Sequence, residues 1–407
     1  MLEKVKAKLK EYDQEHLLKY YDELSDGEKK ALLEEIEATD FDVLNSLKNA
    51  LHAPKRGVIT PIESMELPEI KEKEAAFRAK GLEAIKKGEV AAVLLAGGMG
   101  TRLGSDDPKG MYNIGLTKEV YIFQRLIENL MDVVNEAGVF VPLYIMTSDK
   151  NNDKTVKFMK EKNYFGYNPD YIHFFKQEMA PASDYEGHIL LEGKGKLATS
   201  PNGNAGWYVS MHKAGLSAQA IADGVKWINI FAVDNVLQRI ADPVFVGAVI
   251  EGNFVSGAKV VRKVARDEKV GAMCLEDGRP SIVEYYEMTD ELMDAKNEKG
   301  DPAYNFGVIL NYLFSIDELE RIREGNLPLH VVEKKIPYID ENGNFVSPTE
   351  PNGYKFEQLV LDMIYEMKNC LPFEVVREFE FAPIKNKTGI DSVESARELC
   401  KKNGIEL

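Results

Sequence analysis

Glu89-Val90-Ala91-Ala92-Val93-Leu94-Leu95-Ala96, followed at once by Gly97-Gly98-Met99-Gly100-Thr101-Arg102-Leu103-Gly104, decides the fold class. The first half is an unbroken apolar run between Gly88 and a glycine-rich turn, the pattern of a parallel strand covered on both faces. Val139 to Met146 (VFVPLYIM) and Trp227 to Val233 (WINIFAV) repeat it. Helical patterns lie between these runs, at Tyr121 to Asn135 for example, and a charged helix over Ile70 to Lys87 precedes the first. Strand and helix alternating at these lengths predict an α/β fold, a doubly wound Rossmann-like sheet with helices on both faces. Such sheets bind ligands at the carboxyl ends of their strands, where the glycine loop stands.

The loop is neither common phosphate motif. G-x-G-x-x-G counted from Gly98 needs glycine at Leu103, and Lys109 precedes Gly110 rather than a Ser or Thr. Its distinguishing content is glycine with Arg102 and Lys109. Glycines let backbone N–H groups approach phosphate oxygens. Two fixed cations beside them suit a triphosphate whose pyrophosphate must leave. The plainer alternative is a tight turn with surface Arg and Lys. Asp234, directly after the Trp227–Val233 run, reads equally as a Mg²⁺ ligand or as a turn or capping carboxylate.

Working outward, the 407 residues suggest two or three domains at about 150 residues each. Hydrophobic residues make up 44% and charged residues 29%, which excludes disorder and a disulfide scaffold. The net charge of −16 argues against a nucleic-acid partner, whose phosphates need clustered Lys and Arg. Cys274, Cys370 and Cys400 fit no disulfide framework or zinc spacing. The six histidines form no paired cluster in sequence. The N-terminus lacks an apolar core, and no apolar run is long enough to span a membrane, so no membrane partner and a cytoplasmic location are expected.

Met1 to about Ala53 reads as helices, with Leu17, Leu18, Tyr21 and Leu24 as an apolar stripe and Ser25 with Glu28 as a capping box. Pro54, Gly57, Pro61 and Pro68 mark a connector. Val270–Cys274 and Ser281–Tyr285 flank Asp277-Gly278 as a hairpin. Ser392 to Asn403 reads as a helix. Lys259 and Lys263 read as charges on a strand face. The expected division is an N-terminal helical arm (1–55), a catalytic domain (56–386) and a short C-terminal helical tail (387–407).

The glycine segment, with Pro108-Lys109-Gly110-Met111-Tyr112, resembles the L-x-G-G-x-G-T-R-L-G and P-K-G-M-Y signature of the UDP-sugar pyrophosphorylase family, in particular the eukaryotic-type UDP-N-acetylhexosamine pyrophosphorylases. Further similar segments are Phe174-Phe175-Lys176-Gln177, Ser200-Pro201-Asn202-Gly203-Asn204, Val233-Asp234-Asn235, Val283-Glu284-Tyr285, Pro351-Asn352-Gly353 and Ala382-Pro383-Ile384-Lys385-Asn386. The resemblance implies a nucleotidyltransferase fold. It implies a uridylyltransferase that makes a UDP-sugar and pyrophosphate from UTP and a sugar 1-phosphate, N-acetylglucosamine 1-phosphate first, with glucose or galactose 1-phosphate as the alternative. A UDP-sugar sensor without turnover is a third reading, which loss of the charged residues would favour.

Roles follow from that resemblance. Gly97 and Gly98 approach the nucleotide. Arg102 grips the departing phosphates and Lys109 neutralises the α-phosphate. Gln177, Gly203 and Asn204 contact uracil or nucleotide. Asp234 holds Mg²⁺. Gly271 and Glu284 contact the sugar hydroxyls, and Lys385 binds the sugar phosphate. In the N-acetylhexosamine enzymes a Gly-Asn pair near Asn305-Phe306-Gly307-Val308 contacts the sugar. Val308 stands where that Asn would be and offers no hydrogen bond, so Asn305 or Asn311 substitutes, or the sugar differs. The longer C-terminal lobe of the eukaryotic enzymes is not expected after Lys385.

Overall fold

The computed structural model describes residues 1–50, 56–323, 325 and 327–407. Side chains of residues 48–50 lie outside that description, as does the arm boundary expected near Ala53 and Pro54. Two compact units emerge: Met1–Lys55 with Glu178–Gly206 and Leu327–Val360, and Arg56–Gln177 with Trp207–Asn326 and Leu361–Leu407. The described part of the expected arm thus shares a unit with two segments from inside the expected catalytic stretch. Residues 387–407 share the other unit with the glycine loop.

In the first unit, helices α1 (Leu2–Glu11) and α2 (Asp26–Ala38) pack Val5, Leu9, Leu32 and Ile36 against Ile189, Leu191 and Leu197. The capping box forms: Ser25 N donates to Glu28 Oε2 at 2.9 Å, and Glu28 N donates to Ser25 Oγ at 3.4 Å. The stripe Leu17 to Leu24 departs from expectation. It folds as two 3-10 turns, Glu15–Leu18 and Tyr21–Glu23, rather than an α-helix. Asp13 takes a left-handed φ of 56°, and the buried Gln14 side chain donates to Gly187 O (3.0 Å) and accepts from Ile189 N (2.8 Å). Those distant bonds outweigh the local helical preference. Four two-stranded sheets complete this unit, among them His330–Lys334 with Gly353–Glu357.

The second unit is built on one ten-stranded mixed sheet: β1 (Ile59–Thr60), β2 (Val90–Leu95), β3 (Leu143–Thr147), β4 (Ile172–Lys176), β5 (Trp227–Ala232), β6 (Ser256–Arg262), β7 (Ala272–Glu276), β8 (Arg279–Val283), β9 (Phe306–Ser315) and β10 (Leu371–Glu374). Its order is β1-β7-β9-β5-β2-β3-β4, with β8 on β7 and β6 between β9 and β10. β5, β2, β3 and β4 run parallel, and β9 antiparallel to β5. Every residue of β2 and β3 is buried, so both faces are covered, as the unbroken apolar runs require. β3 starts at Leu143, just past Pro142, which has no N–H for a ladder. The hairpin β7–β8 turns on Asp277 and Gly278, both with positive φ.

Helix α3 (Leu67–Lys86) begins three residues before Ile70, with Pro68 in the first turn, where its missing N–H costs nothing. It crosses α5 (Pro243–Glu251) in backbone contact. A Cβ on Gly81 would lie 1.8 Å from Pro243 O, and one on Gly247 would lie 1.7 Å from Phe77 O. Helix α4 (Ile122–Ala137) ends at Gly138 in the left-handed region. Helix α6 (Val393–Lys402) starts from a Ser392 capping box.

β2 leads by way of β3 and β4 to one side, and β5 returns to pair with β2 on the other. The sheet order therefore reverses between β2 and β5. The crevice outside their carboxyl ends is where such folds take ligands, and Gly97 and Asp234 follow those two ends.

Candidate active site

After β2 the chain makes a compact loop. Gly100 N donates to Asp107 O (2.8 Å) and Lys109 N to Gly98 O (3.1 Å), so Lys109 is carried back beside the glycines. A residue that sequence reasoning missed braces this loop. Asn151, fully buried, donates to Ala96 O (2.8 Å) and Gly98 O (3.3 Å) and accepts from Ser148 N (2.8 Å). Gln177, after β4, lies against Gly97: a Cβ there would be 3.1 Å from Gln177 Oε1. The glycine thus leaves room for the amide.

Lys109 and Asp234 meet across the switch point, Nζ to Oδ2 at 3.6 Å. Burial lowers the Lys109 pKa, Lys385 and Arg102 push it down further, and Asp234 opposes them. Arg102 and Lys385 are therefore each within electrostatic reach of Lys109, which faces the Asp234 carboxylate. Arg102 is exposed and has no ion pair among the described residues. Asp234 has Lys109 as its one ion-pair partner among them.

The Lys385 segment is stitched to the Asp234 loop. Ile384 N donates to Asp234 O (2.9 Å). Asn235 accepts from Ala382 N (2.9 Å) and donates to Glu380 O (2.7 Å). Beneath both lies Lys259, which corrects the strand-face reading: its side chain is 0% exposed, and Nζ donates to Glu380 Oε2 (2.6 Å), Asp242 Oδ2 (3.1 Å) and Arg239 O (3.1 Å). Burial raises both carboxyl groups. At Asp242 the Lys259 and Arg239 charges outweigh it and lower the pKa, whereas at Glu380 burial and the Asp242 charge prevail. No sequence signal separates this lysine from a surface one.

Gly271 and Glu284 are neighbours. A Cβ on Gly271 would lie 2.8 Å from Ile282 Cγ2 and 3.5 Å from Glu284 Oε1. Burial and Glu287 raise the Glu284 pKa, against Arg56 and Lys385. Lys385 thus senses both Lys109 and Glu284. Arg56 anchors this corner with bonds to Glu287 Oε2 (2.9 Å) and Ile282 O (2.8 Å).

Asn305 lines a cavity of about 300 Å³ with Lys263, Arg266, Met288 and Tyr304, which no other candidate residue lines. Asn311 cannot replace the missing amide. It is fully buried, accepting from Asn229 (2.8 Å) and donating to Gln238 Oε1 (3.2 Å) and Arg239 O (3.3 Å). Gly203 and Asn204 belong to the first unit. Gly203 has φ +89° with its α-carbon against the Gln358 backbone, and Asn204 Oδ1 accepts from Val360 N (2.9 Å). In that unit the fold also pairs two histidines that the sequence leaves apart, with His16 edge-on to His188 at 5.5 Å.

Glycines with Arg102 and the Lys109–Asp234 pair thus stand outside the carboxyl ends of β2 and β5, and Lys385 acts electrostatically on Lys109 there. The comparisons give the family. The chain belongs to the UTP–glucose-1-phosphate uridylyltransferase family, whose model matches residues 43–404. It is 37% identical to UDP-N-acetylhexosamine pyrophosphorylase-like protein 1 of Mus musculus over 95% of this chain and 81% of that one. It is 39% identical to UDP-N-acetylglucosamine pyrophosphorylase of Saccharomyces cerevisiae over 95% and 83%. The crystal structure of the Trypanosoma brucei uridine diphosphate N-acetylglucosamine pyrophosphorylase superposes with a TM-score of 0.84 at 26% identity, over 96% of this chain and 82% of that one. No helix among the described residues is long and apolar enough to cross a membrane.

Proposed function

We propose that the chain is a uridylyltransferase that joins UTP and N-acetylglucosamine 1-phosphate into UDP-N-acetylglucosamine, releasing pyrophosphate. What supports this reading is the convergence of Arg102, Lys109, Lys385 and Asp234 outside β2 and β5, in a chain of this family. A phosphate oxygen of the sugar 1-phosphate attacks the α-phosphorus of UTP in line, and the bond to the β-phosphate oxygen breaks. The attacking monoester is already anionic near neutral pH, so no general base is needed. Positioning and charge neutralisation carry the catalysis.

Gly97 and Gly98 bring backbone to the nucleotide, and the Gln177 amide offers donor and acceptor to the uracil edge. Arg102, planar and exposed, takes the departing phosphates with two parallel hydrogen bonds. Lys109 neutralises charge at the α-phosphate. Lys385 holds the sugar phosphate, and Glu284 beside Gly271 accepts from sugar hydroxyls. Asn305, which the resemblance placed at the sugar, lines a cavity that none of the other candidates line, so its placement adds no support to a sugar contact.

Asp234 fits a divalent cation, Mg²⁺ in this reading: a part-exposed carboxylate is the one or two-carboxylate donor set that Mg²⁺ takes with phosphates and water. Bound there, the ion would neutralise phosphate charge. Buried Cys274, Cys370 and Cys400 thiols suit a reducing compartment, which favours the cytoplasm.

The test is pyrophosphate release with UTP, Mg²⁺ and a panel of N-acetylglucosamine, N-acetylgalactosamine, glucose and galactose 1-phosphates. The acetamido sugar is expected to turn over fastest. A glucose 1-phosphate preference would favour the alternative, with Val308 as its cause, and no release with any sugar would sink the reading. Lys385→Ala is expected to raise KM for the sugar 1-phosphate about tenfold or more, because a charged hydrogen bond to phosphate is lost. Unchanged KM and kcat would remove Lys385 from the site.

A further inference from the structure

Lys385 does not stand free. Its Nζ lies 3.2 Å from Asp391 Oδ2, six residues on in the same loop, and both groups are partly exposed. The backbone of Asp391 closes that loop as well: its carbonyl accepts from Lys385 N (2.7 Å) and Asn386 N (3.0 Å). To do so Asp391 adopts φ +51°, in the left-handed region. The neighbouring Ile390 is exposed, and Asn386 Nδ2 donates to its carbonyl at 3.1 Å. Ser392, next in the chain, caps α6. That helix reaches the other cationic loop: Arg397 donates to Ile114 O (2.8 Å) and Gly115 O (3.2 Å), a few residues past Lys109.

We propose that Asp391 is a positioning residue that aims the Lys385 ammonium before the sugar 1-phosphate arrives. The inference rests on the uridylyltransferase reading above. A lysine has four flexible side-chain bonds and many rotamers to lose when it grips a phosphate. The Asp391 carboxylate restricts them in advance. The same carboxylate repels an incoming dianion, so it adds little to ground-state affinity. Its benefit falls on turnover, where the phosphate must stay aligned for in-line attack. Asn and Gly would fill a left-handed position at least as well as Asp. Neither holds an ammonium by charge, so the carboxylate at Asp391 has a purpose that its backbone conformation does not demand.

This makes the test unusually clean, because Asp391→Asn and Asp391→Gly remove the charge at a conformation both residues accept. In each variant kcat for UDP-sugar formation is expected to fall about tenfold, while KM for the sugar 1-phosphate rises less than about twofold, KM for UTP stays unchanged and the melting temperature does not drop. In a Lys385→Ala background, Asp391→Asn should change kcat by less than about twofold, since Asp391 acts through the lysine. Equal losses in both backgrounds, wild-type kinetics in both single variants, or activity lost in step with thermal stability would each overturn the role of Asp391. An unaltered chain that releases no pyrophosphate across the sugar panel overturns the reading beneath it instead.

Discussion

Asp234→Ala is expected to lower kcat at least about a thousandfold while leaving the fold intact. The carboxylate sits at the carboxyl end of β5, beside the point where the sheet order reverses, and it is the one acidic partner of Lys109 among the described residues. In this reading it holds the divalent cation, so the variant loses charge stabilisation of the departing pyrophosphate. A second effect adds to the first. Burial, Lys385 and Arg102 all lower the Lys109 pKa, and only Asp234 is prominent on the other side. Without that carboxylate Lys109 loses the one nearby charge that holds its pKa up against burial, Lys385 and Arg102. The fold has reason to survive: the bond from Ile384 N to Asp234 uses the backbone carbonyl, and Asn235 supplies the side-chain stitches. Circular dichroism and melting would verify folding, and steady-state kinetics over a Mg²⁺ titration would read the loss. Full activity at ordinary Mg²⁺ would remove Asp234 from the metal site.

Lys259→Met should destabilise the protein by about 3–5 kcal/mol, the cost of leaving buried charge without its partner. Methionine nearly fills the volume, so the loss reports charge rather than a cavity. It would strand Asp242 and Glu380 together, the first buried and the second mostly so, where Lys259 now bonds to both at 3.1 and 2.6 Å. The pH dependence has a definite sign. With only Arg239 left beside Asp242, burial and mutual repulsion push the folded pKa values of the two carboxyl groups up. Such groups destabilise the ionised protein, and the deficit shrinks as pH falls through those raised values. Urea unfolding of variant and wild type at neutral pH and at about pH 5.5 would test this. A midpoint matching wild type at neutral pH would show that the lysine is not needed for the buried network. Because Glu380 and Asp242 flank the segments that carry Lys385 and Asp234, turnover is expected to fall with stability.

Three of the parallel strands were legible in the sequence because they are buried on both faces or nearly so, whereas the part-exposed Ile172–Lys176 left no such run. Burial on both faces demands unbroken apolar runs, and 90–95, 227–232 and all of 143–147 but Thr147 lie inside the runs that sequence alone marks out. Asp277-Gly278 was legible for a different reason: the turn requires two positive φ values, and few residue pairs tolerate them. The helix boundaries at Ser25 and Ser392 were legible from capping chemistry that acts over three residues. The stripe Leu17 to Leu24 misled because its conformation is set by Gln14 bonding to residues more than 170 positions away.

For the site, local chemistry determined where the glycine loop and Asp234 stand on their strands, and the family resemblance named the residues. Only the tertiary structure decided which of them share an electrostatic field. Arg102 and Lys109 share the loop after β2, whereas Lys385 comes from a distant stretch and acts on Lys109 because the sheet reverses between β2 and β5 while Asn235 and Ile384 draw the last segment in. Nor could sequence separate Lys259 from Lys385. Both are lysines that follow an apolar residue, yet one is sealed between two carboxylates and the other meets solvent. A charge is identified by what surrounds it, and residues 242, 259 and 380 become neighbours only on folding.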